Sequence, residues 1–310
     1  AFLKVCIKNK GIYAKVEKFI ADIFIEINPD WKPLQKPDGS MLVELLKAWY
    51  GTSAASALWH EEISGSITSL CGYTQHKIIK CLYYRDLENG ERGYIMLHVD
   101  DLCVMLPNDA VEKKRIKDIL TGKYGEMRVQ DSVRFTYVGI ECFYNKPMKK
   151  IELGMSKRIL KLAAKYNVTK SKEYPLPTNV FDWNIMSIPY TNITDFRSIV
   201  MSIRYIAQCV KPEVLFSVSY LSTKQCNPTQ RDYDCAIHIL KYLFGTHDEC
   251  MWLYGIGIGN PIIRVYADAS HRLYEDLLCH GSSCVFIGNA RCTVFNTSNK
   301  ISVHCKSSTD

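Results

Sequence analysis

The sequence predicts an α+β fold, and three features predict it. Residues 94–105 read as strand, tight turn, strand, because two short apolar arms flank the adjacent pair Asp100 and Asp101 and Asp is a preferred turn residue. Residues 156–245 hold four segments with apolar residues at helical spacing, several bounded by cap and stop signals. After a Gly-rich break, residues 262–304 return to short strand-like runs separated by turn residues, the pattern of a β-meander.

Taken in order, residues 1–16 are strand-rich, and residues 19–27 form an apolar stretch closed by Asn28 and Pro29. Asp22 sits on the polar side of that stretch and needs no function. Residues 36–40 are a turn leading to a strand at 42–46. Gly51 lets the chain turn tightly, and Ser53 or Ser56 caps a helix running toward Ser69 with Trp59, Ile63 and Ile67 on one face. After the 94–105 hairpin, an Asn108 or Asp109 cap followed by Glu112 opens a helix that passes through Ile116, Ile119 and Leu120 to Gly122. Strands follow at 133–140 and 151–153, and with the hairpin they are expected to form one sheet with helices on one face.

From Ser156 a capped amphipathic helix turns Ile159, Leu160, Ala163 and Tyr166 inward and sets Lys157, Lys161 and Lys165 along an outer stripe. Such a stripe either tracks phosphates or is a solvated face. Residues 174–189 are a Pro-punctuated connector. Helices are then expected at 194–208, at 212–223, and from an Asn227 cap with Pro228 first and Gln230 completing a capping box, ending at Gly245. The third turns Ala236, Ile237, Leu240, Leu243 and Phe244 inward. Gly255, Gly257, Gly259 and Pro261 make a flexible break with no capped helix after it, which argues against a phosphate loop. The meander comprises a strand at 262–266, hairpin arms at 283–287 and 292–295, and a last strand at 301–304.

At 310 residues the chain is long enough for two or three domains with real cores. Lys and Arg outnumber Asp and Glu by 39 to 32, and this excess leans toward a polyanionic partner. Thirteen cysteines, with no Cys-x-x-Cys pair and no secretory signal, indicate reduced thiols in an intracellular compartment. No run is long and apolar enough for a membrane span. Cys279, His280, Cys284, Cys292, His304 and Cys305 have spacings that fit none of the usual zinc patterns.

The candidate chemistry lies at Asp100 and Asp101. Two ionised carboxylates between apolar strands repel each other and resist desolvation unless they reach water or a cation. A divalent ion settles that conflict, because one or two carboxylates, with water and phosphate completing the shell, are how proteins hold Mg²⁺ for phosphoryl chemistry. The plainer alternative is a pair of ordinary turn residues, and the flanking chain decides between them.

Upstream stands Leu45-Leu46-Lys47-Ala48-Trp49-Tyr50-Gly51-Thr52-Ser53-Ala54-Ala55-Ser56-Ala57-Leu58-Trp59. Downstream come Tyr137-Val138-Gly139-Ile140, Leu153-Gly154-Met155-Ser156-Lys157, Arg197-Ser198-Ile199-Val200-Met201-Ser202-Ile203-Arg204-Tyr205-Ile206, Lys211-Pro212-Glu213-Val214, Asn227-Pro228-Thr229, Leu240-Lys241-Tyr242-Leu243-Phe244-Gly245-Thr246, Tyr266-Ala267-Asp268-Ala269-Ser270 and Lys306-Ser307-Ser308-Thr309. In this order and spacing, the blocks resemble the reverse transcriptase and early ribonuclease H region of copia-type LTR retrotransposon Pol polyproteins. The resemblance covers nearly the whole chain.

That resemblance implies fingers and palm over residues 1–152, a helical thumb and connection-like region over 153–259, and a partial ribonuclease H-like meander over 260–310. It implies an RNA-directed DNA polymerase with Asp100 and Asp101 as metal ligands, Mg²⁺ (or Mn²⁺) as cofactor, and Asp268 as the first carboxylate of a second metal centre. Gly51, Ser53 and His98 would lie at the nucleotide and template, and Lys157, Lys161 and Lys165 on nucleic acid near the thumb. Implied partners are an RNA or DNA primer–template, deoxynucleotides and other Pol domains, with no membrane, in cytoplasmic element particles that have a nuclear phase. The family's first polymerase aspartate is expected upstream of Ala1 and the remaining ribonuclease H carboxylates beyond Asp310, so these 310 residues alone are expected to be inactive. Two departures weigh against competence: Thr52-Ser53-Ala54 replaces the usual Leu-Lys-Gln after Gly51, and His98 replaces the usual Tyr before Val99-Asp100-Asp101. They favour the alternative, a catalytically dead remnant that at most binds nucleic acid.

Overall fold

The computed structural model describes residues 12–47, 49, 55–107, 110–182, 186–255, 262–288 and 293–303. The chain forms two compact units, Ala1–Val129 and Gln130–Asp310. All strand pairings among the described residues are antiparallel, and the fold is α+β.

The first unit begins with β1 (Tyr13–Val16), α1 (Lys18–Ile27), a 3₁₀ turn (Pro29–Leu34) and β2 (Met41–Glu44), which pairs with β1. The apolar stretch at 19–27 is therefore helical, and Val16, Ala21 and Met41 form its small core. A second core gathers α2 (Ala55–Gly65), which widens into a π-helical turn at Ser66–Leu70, against β3 (Thr74–Gln75), β4 (Leu82–Asp86), β5 (Arg92–His98), β6 (Asp101–Met105) and α3 (Ala110–Tyr124). These strands form a four-stranded sheet in the order β3-β4-β5-β6. Trp59, Ile63 and Ile67 are buried along one helical face, as their spacing predicts, and Ile116 and Leu120 meet them from α3. Ser56 lies within the first turn of α2, whereas Gly51, Ser53 and the Asn108 or Asp109 cap lie outside the described residues.

The second unit opens with β7 (Arg134–Tyr137), β8 (Ile140–Asn145) and β9 (Lys150–Gly154), continues through α4 (Ser156–Lys165), α5 (Ile193–Cys209), a 3₁₀ turn (Pro212–Val214), α6 (Leu215–Ser222) and α7 (Gln230–Gly245), and returns with β10 (Met251–Tyr254). The expectation of a single sheet is corrected here. β7, β8 and β9 pair with β10 in the order β10-β9-β8-β7, in a sheet separate from the Asp-Asp hairpin. The pairing of Met251 through Tyr254 with Leu153 through Lys150 ties these strands to the helical region that follows them. The break between units accordingly falls at Val129, before β7.

α4, α5, α6 and α7 bury one continuous core built from Ile159, Phe196, Ile199, Ile203, Val218, Leu240 and their neighbours. Three expected details are corrected. Leu162, 9% exposed, takes the inward place expected of Leu160, which is 38% exposed. Ser156 is the first residue of α4 rather than its cap: its hydroxyl meets His247 Nδ1 at 2.9 Å, and the Lys157 amide is capped by Glu141 of β8 at 2.9 Å. α7 starts at Gln230 behind a Thr229 cap, with Asp232 closing the capping box. It cannot start earlier, because Tyr190 N donates to Pro228 O and Gln230 N to Ile188 O, holding this stretch against the connector.

β11 (Ile263–Ser270), β12 (His280–Ile287) and β13 (Phe295–Lys300) form a three-stranded meander with β12 central. Among the described residues, the single strand β13 takes the place of the arm expected to end at Phe295 and of the last strand expected from Ile301, and it pairs with β12 from Phe295↔Val285 to Lys300↔His280. The meander rests on α6, where the Ser219 hydroxyl donates to the Ser298 carbonyl. No helix among the described residues is long and apolar enough to cross a membrane.

Candidate active site

The Asp-Asp hairpin follows from strict alternation in β5. Gly93, Ile95 and Leu97 point into the core while Arg92, Tyr94, Met96 and His98 face solvent. β6 pairs back with Leu97↔Leu102 and His98↔Asp101, leaving Val99 and Asp100 as a two-residue turn. Val99 adopts φ 55°, a left-handed value that fits the twist of a two-residue hairpin but is rare for a β-branched residue. Its carbonyl accepts a hydrogen bond from Trp59 Nε1 at 2.7 Å.

His98, Asp100 and Asp101 are all exposed, at or beside the tip. The carboxylates therefore keep their hydration, which removes the conflict of burying two like charges. Their hard oxygens suit a cation such as Mg²⁺, whose remaining shell comes from water and phosphate. Among the described residues no group of three or more His, Cys, Asp or Glu side chains could hold a metal on its own.

Behind the sheet lies a polar cluster that pattern reading missed. Glu112, buried on α3, accepts from Arg115 Nε at 2.7 Å and Nη2 at 2.8 Å, from Tyr73 Oη at 3.1 Å and from Arg85 Nη1 at 3.5 Å. The Arg115 bond, outweighing desolvation, holds the Glu112 carboxyl below its ordinary range. Arg115 and Arg85 also donate to the Cys71 carbonyl, at 2.6 and 3.3 Å, closing the end of the π-helical turn. The available signal was Glu112 and Arg115 at a three-residue spacing on a helix.

In the second unit, Lys157, Lys161 and Lys165 are all exposed on α4. Lys165 is partly engaged, its ammonium 3.3 Å from Ser198 Oγ and 4.9 Å from the centre of the Tyr166 ring. Asp268 lies inside β11, exposed and paired with Ser282. His280 is buried, with Nδ1 2.7 Å from Tyr274 Oη and Nε2 2.7 Å from Ser298 Oγ, so both ring nitrogens are used in packing. Cys292, His304 and Cys305 lie outside the described residues.

No protein-family model matches the chain. A Ty5-1 transposon protein of Saccharomyces cerevisiae is 28% identical over 257 residues, covering 82% of this chain and 80% of the yeast protein. The retrovirus-related Pol polyprotein from transposon TNT 1-94 of Nicotiana tabacum is 23% identical over 76% of the chain, and that from transposon RE2 of Arabidopsis thaliana is 25% identical over 80%. The chain spans only 18% and 16% of those two plant polyproteins. With the same kind of relative aligning along most of its length, the chain is homologous to the Pol polyproteins of Ty5- and copia-type retrotransposons.

Proposed function

We propose that this chain carries the Asp-Asp element of a retrotransposon RNA-directed DNA polymerase. The observation that carries the reading is the exposed pair Asp100 and Asp101, the first in a two-residue hairpin turn and the second opening β6, in a chain homologous to Pol polyproteins. Divalent ions, when bound, lower the pKa of an attacking primer hydroxyl and neutralise a leaving pyrophosphate. The protein's part is to hold the carboxylates in place. Asp100 and Asp101 supply the hard oxygens, and His98 lies across the strand pair from Asp101, at the edge of the nucleotide site. The sheet under the hairpin is the palm of this reading, and α4 to α7 its thumb and connection. The meander begins a ribonuclease H-like domain, with Asp268 as its first metal ligand. Partners are a primer–template, deoxynucleotides and further Pol domains.

A Mn²⁺ titration in the presence of a deoxynucleoside triphosphate, followed by electron paramagnetic resonance, tests the site. Binding is expected, and it is expected to disappear when Asp100→Asn and Asp101→Asn are combined. Binding that survives both substitutions places the metal elsewhere and sinks the reading. The rival is an inactive Pol remnant that binds nucleic acid only, and the departures from the family pattern at Ser53, Ala54 and His98 favour it. Hybrid binding with no Mn²⁺ dependence is its signature.

A further inference from the structure

Trp59 sits on α2 with only 4% of its surface exposed, and edge-on packing against Tyr124 at 5.4 Å between ring centres fixes the plane of its indole. A buried indole N–H requires an acceptor. It meets the carbonyl of Val99, forty residues on in sequence, at 2.7 Å. Val99 is the first residue of the turn, and its φ of 55° lies where a β-branched side chain crowds its own backbone. Left-handed backbone is disfavoured by about tenfold or more for such a residue, so the turn sequence does not select this conformation by itself. The hydrogen bond from the core does.

The same device recurs in the second unit. Val138 opens the turn between β7 and β8 with φ 50°, and the Tyr205 hydroxyl of α5 donates to its carbonyl. There the next residue is Gly139, at φ 77°, and the turn carries no carboxylate. The device on its own is thus a way of holding a hairpin. At Val99 it acquires a consequence, because the next two residues are Asp100 and Asp101 and the Val99 backbone angle sets where both point.

We propose that Trp59 is a positioning residue of the Asp100 and Asp101 site. Its indole N–H holds Val99 left-handed and so presents the two carboxylates together at the exposed tip. The role in metal binding rests on the polymerase reading above; the role in the turn does not.

Nuclear magnetic resonance on the full chain, labelled at Trp, Val and Asp, separates the two. In the unaltered protein the Trp59 indole proton is expected to lie downfield and exchange slowly, and the Val99 carbon shifts are expected to be those of left-handed backbone. Trp59→Phe keeps an aromatic ring and removes the donor. It is expected to move the Val99 shifts toward extended backbone and to weaken Mn²⁺ broadening of the Asp100 and Asp101 amides, with affinity lower by roughly threefold to tenfold. Adding Val99→Gly, which takes positive φ without steric cost, is expected to restore affinity to within about twofold. Unchanged Val99 shifts in Trp59→Phe overturn the proposal. So does a fast-exchanging Trp59 indole proton in the unaltered protein, a measurement that stands even where the variant does not fold. If Val99 responds but Mn²⁺ never broadens Asp100 and Asp101, the positioning of the turn is upheld and the metal reading falls.

Discussion

Arg115 clasps Glu112 through two hydrogen bonds of 2.7 and 2.8 Å, one turn apart on α3, and the same guanidinium reaches the Cys71 carbonyl at 2.6 Å. This joins α3 to the end of the helix that carries Trp59. A buried carboxylate accepting from two guanidinium groups and a tyrosine is satisfied, and removing it strands their charges. Glu112→Ala is expected to cost about 2–4 kcal/mol, below the largest values for buried pairs because the arginines are partly exposed. Urea unfolding followed by tryptophan fluorescence measures it; a loss within about 0.5 kcal/mol, the usual range of a surface substitution, defeats the claim.

The same group gives a pH dependence of known sign. The folded pKa of Glu112 is lowered from its ordinary 4.5, first by the Arg115 hydrogen bond. The stability it contributes is therefore fully present above pH 4.5 and is lost as pH falls toward the folded value. Glu112→Gln is expected to flatten the acid limb of stability below pH 4.5 while leaving the slope near neutrality unchanged. Parallel acid limbs for both proteins count against it.

His280 provides a second acid-sensitive element, within the meander. Burial lowers its pKa from 6.5, and both nitrogens are engaged, one by Tyr274 and one by Ser298. Because the unfolded chain binds the proton more readily, stability is highest above pH 6.5 and declines as pH falls toward the folded value. Hydrogen exchange of the β12 and β13 amides is expected to quicken as pH falls below 6.5, after correction for intrinsic rates, and His280→Asn should lack this response. An equal response in both proteins removes His280 as the cause.

Binding to an RNA–DNA hybrid is expected to be dominated by phosphate contacts. Each neutralised phosphate contributes about 0.7–0.9 to the slope of log K against log salt, so Lys157→Gln and Lys161→Gln should each lower that slope by somewhat less than one. Lys165→Gln should lower it least, since that ammonium is already partly engaged by Ser198 and Tyr166. Fluorescence anisotropy at several salt concentrations decides it. Slopes unchanged in all three variants make the stripe a solvated face.

What the sequence makes legible follows from periodicity. The alternation of β5 and the buried Trp59, Ile63 and Ile67 face are local patterns, and the structure has them, whereas the turn expected at Asp100 and Asp101 falls one residue earlier, on Val99 and Asp100. Cap positions are less legible because distant partners decide them: Glu141 caps α4 across sixteen residues, and the connector at Ile188 and Tyr190 delays the start of α7. Sheet membership is least legible. β9 could have joined the hairpin sheet by its composition, and the antiparallel registers with β8 and with β10, a hundred residues later, assign it elsewhere. Within the candidate site the carboxylates are visible in sequence, but the Trp59 hydrogen bond to Val99 is a contact between segments with no shared local pattern.

The last expectation is that the 310-residue chain by itself extends no primer detectably. Two-metal transfer needs ligands that keep both ions in line with the attacking and leaving oxygens. Among the described residues, no third metal-binding side chain stands with Asp100 and Asp101. Electrostatic stabilisation lost at the reacting centre costs about 10²–10³ in rate per group, and a site that holds its ions through two carboxylates alone should lose at least that. Asp22 lies on α1 and accepts from Gln35 Nε2 at 2.8 Å. Primer extension on an RNA template with Mg²⁺ or Mn²⁺ tests the point. Template-dependent incorporation that vanishes in Asp100→Asn would show that a further carboxylate of this chain completes the site, and an acidic-residue scan over Asp22, Asp109 and Asp118 would then identify it.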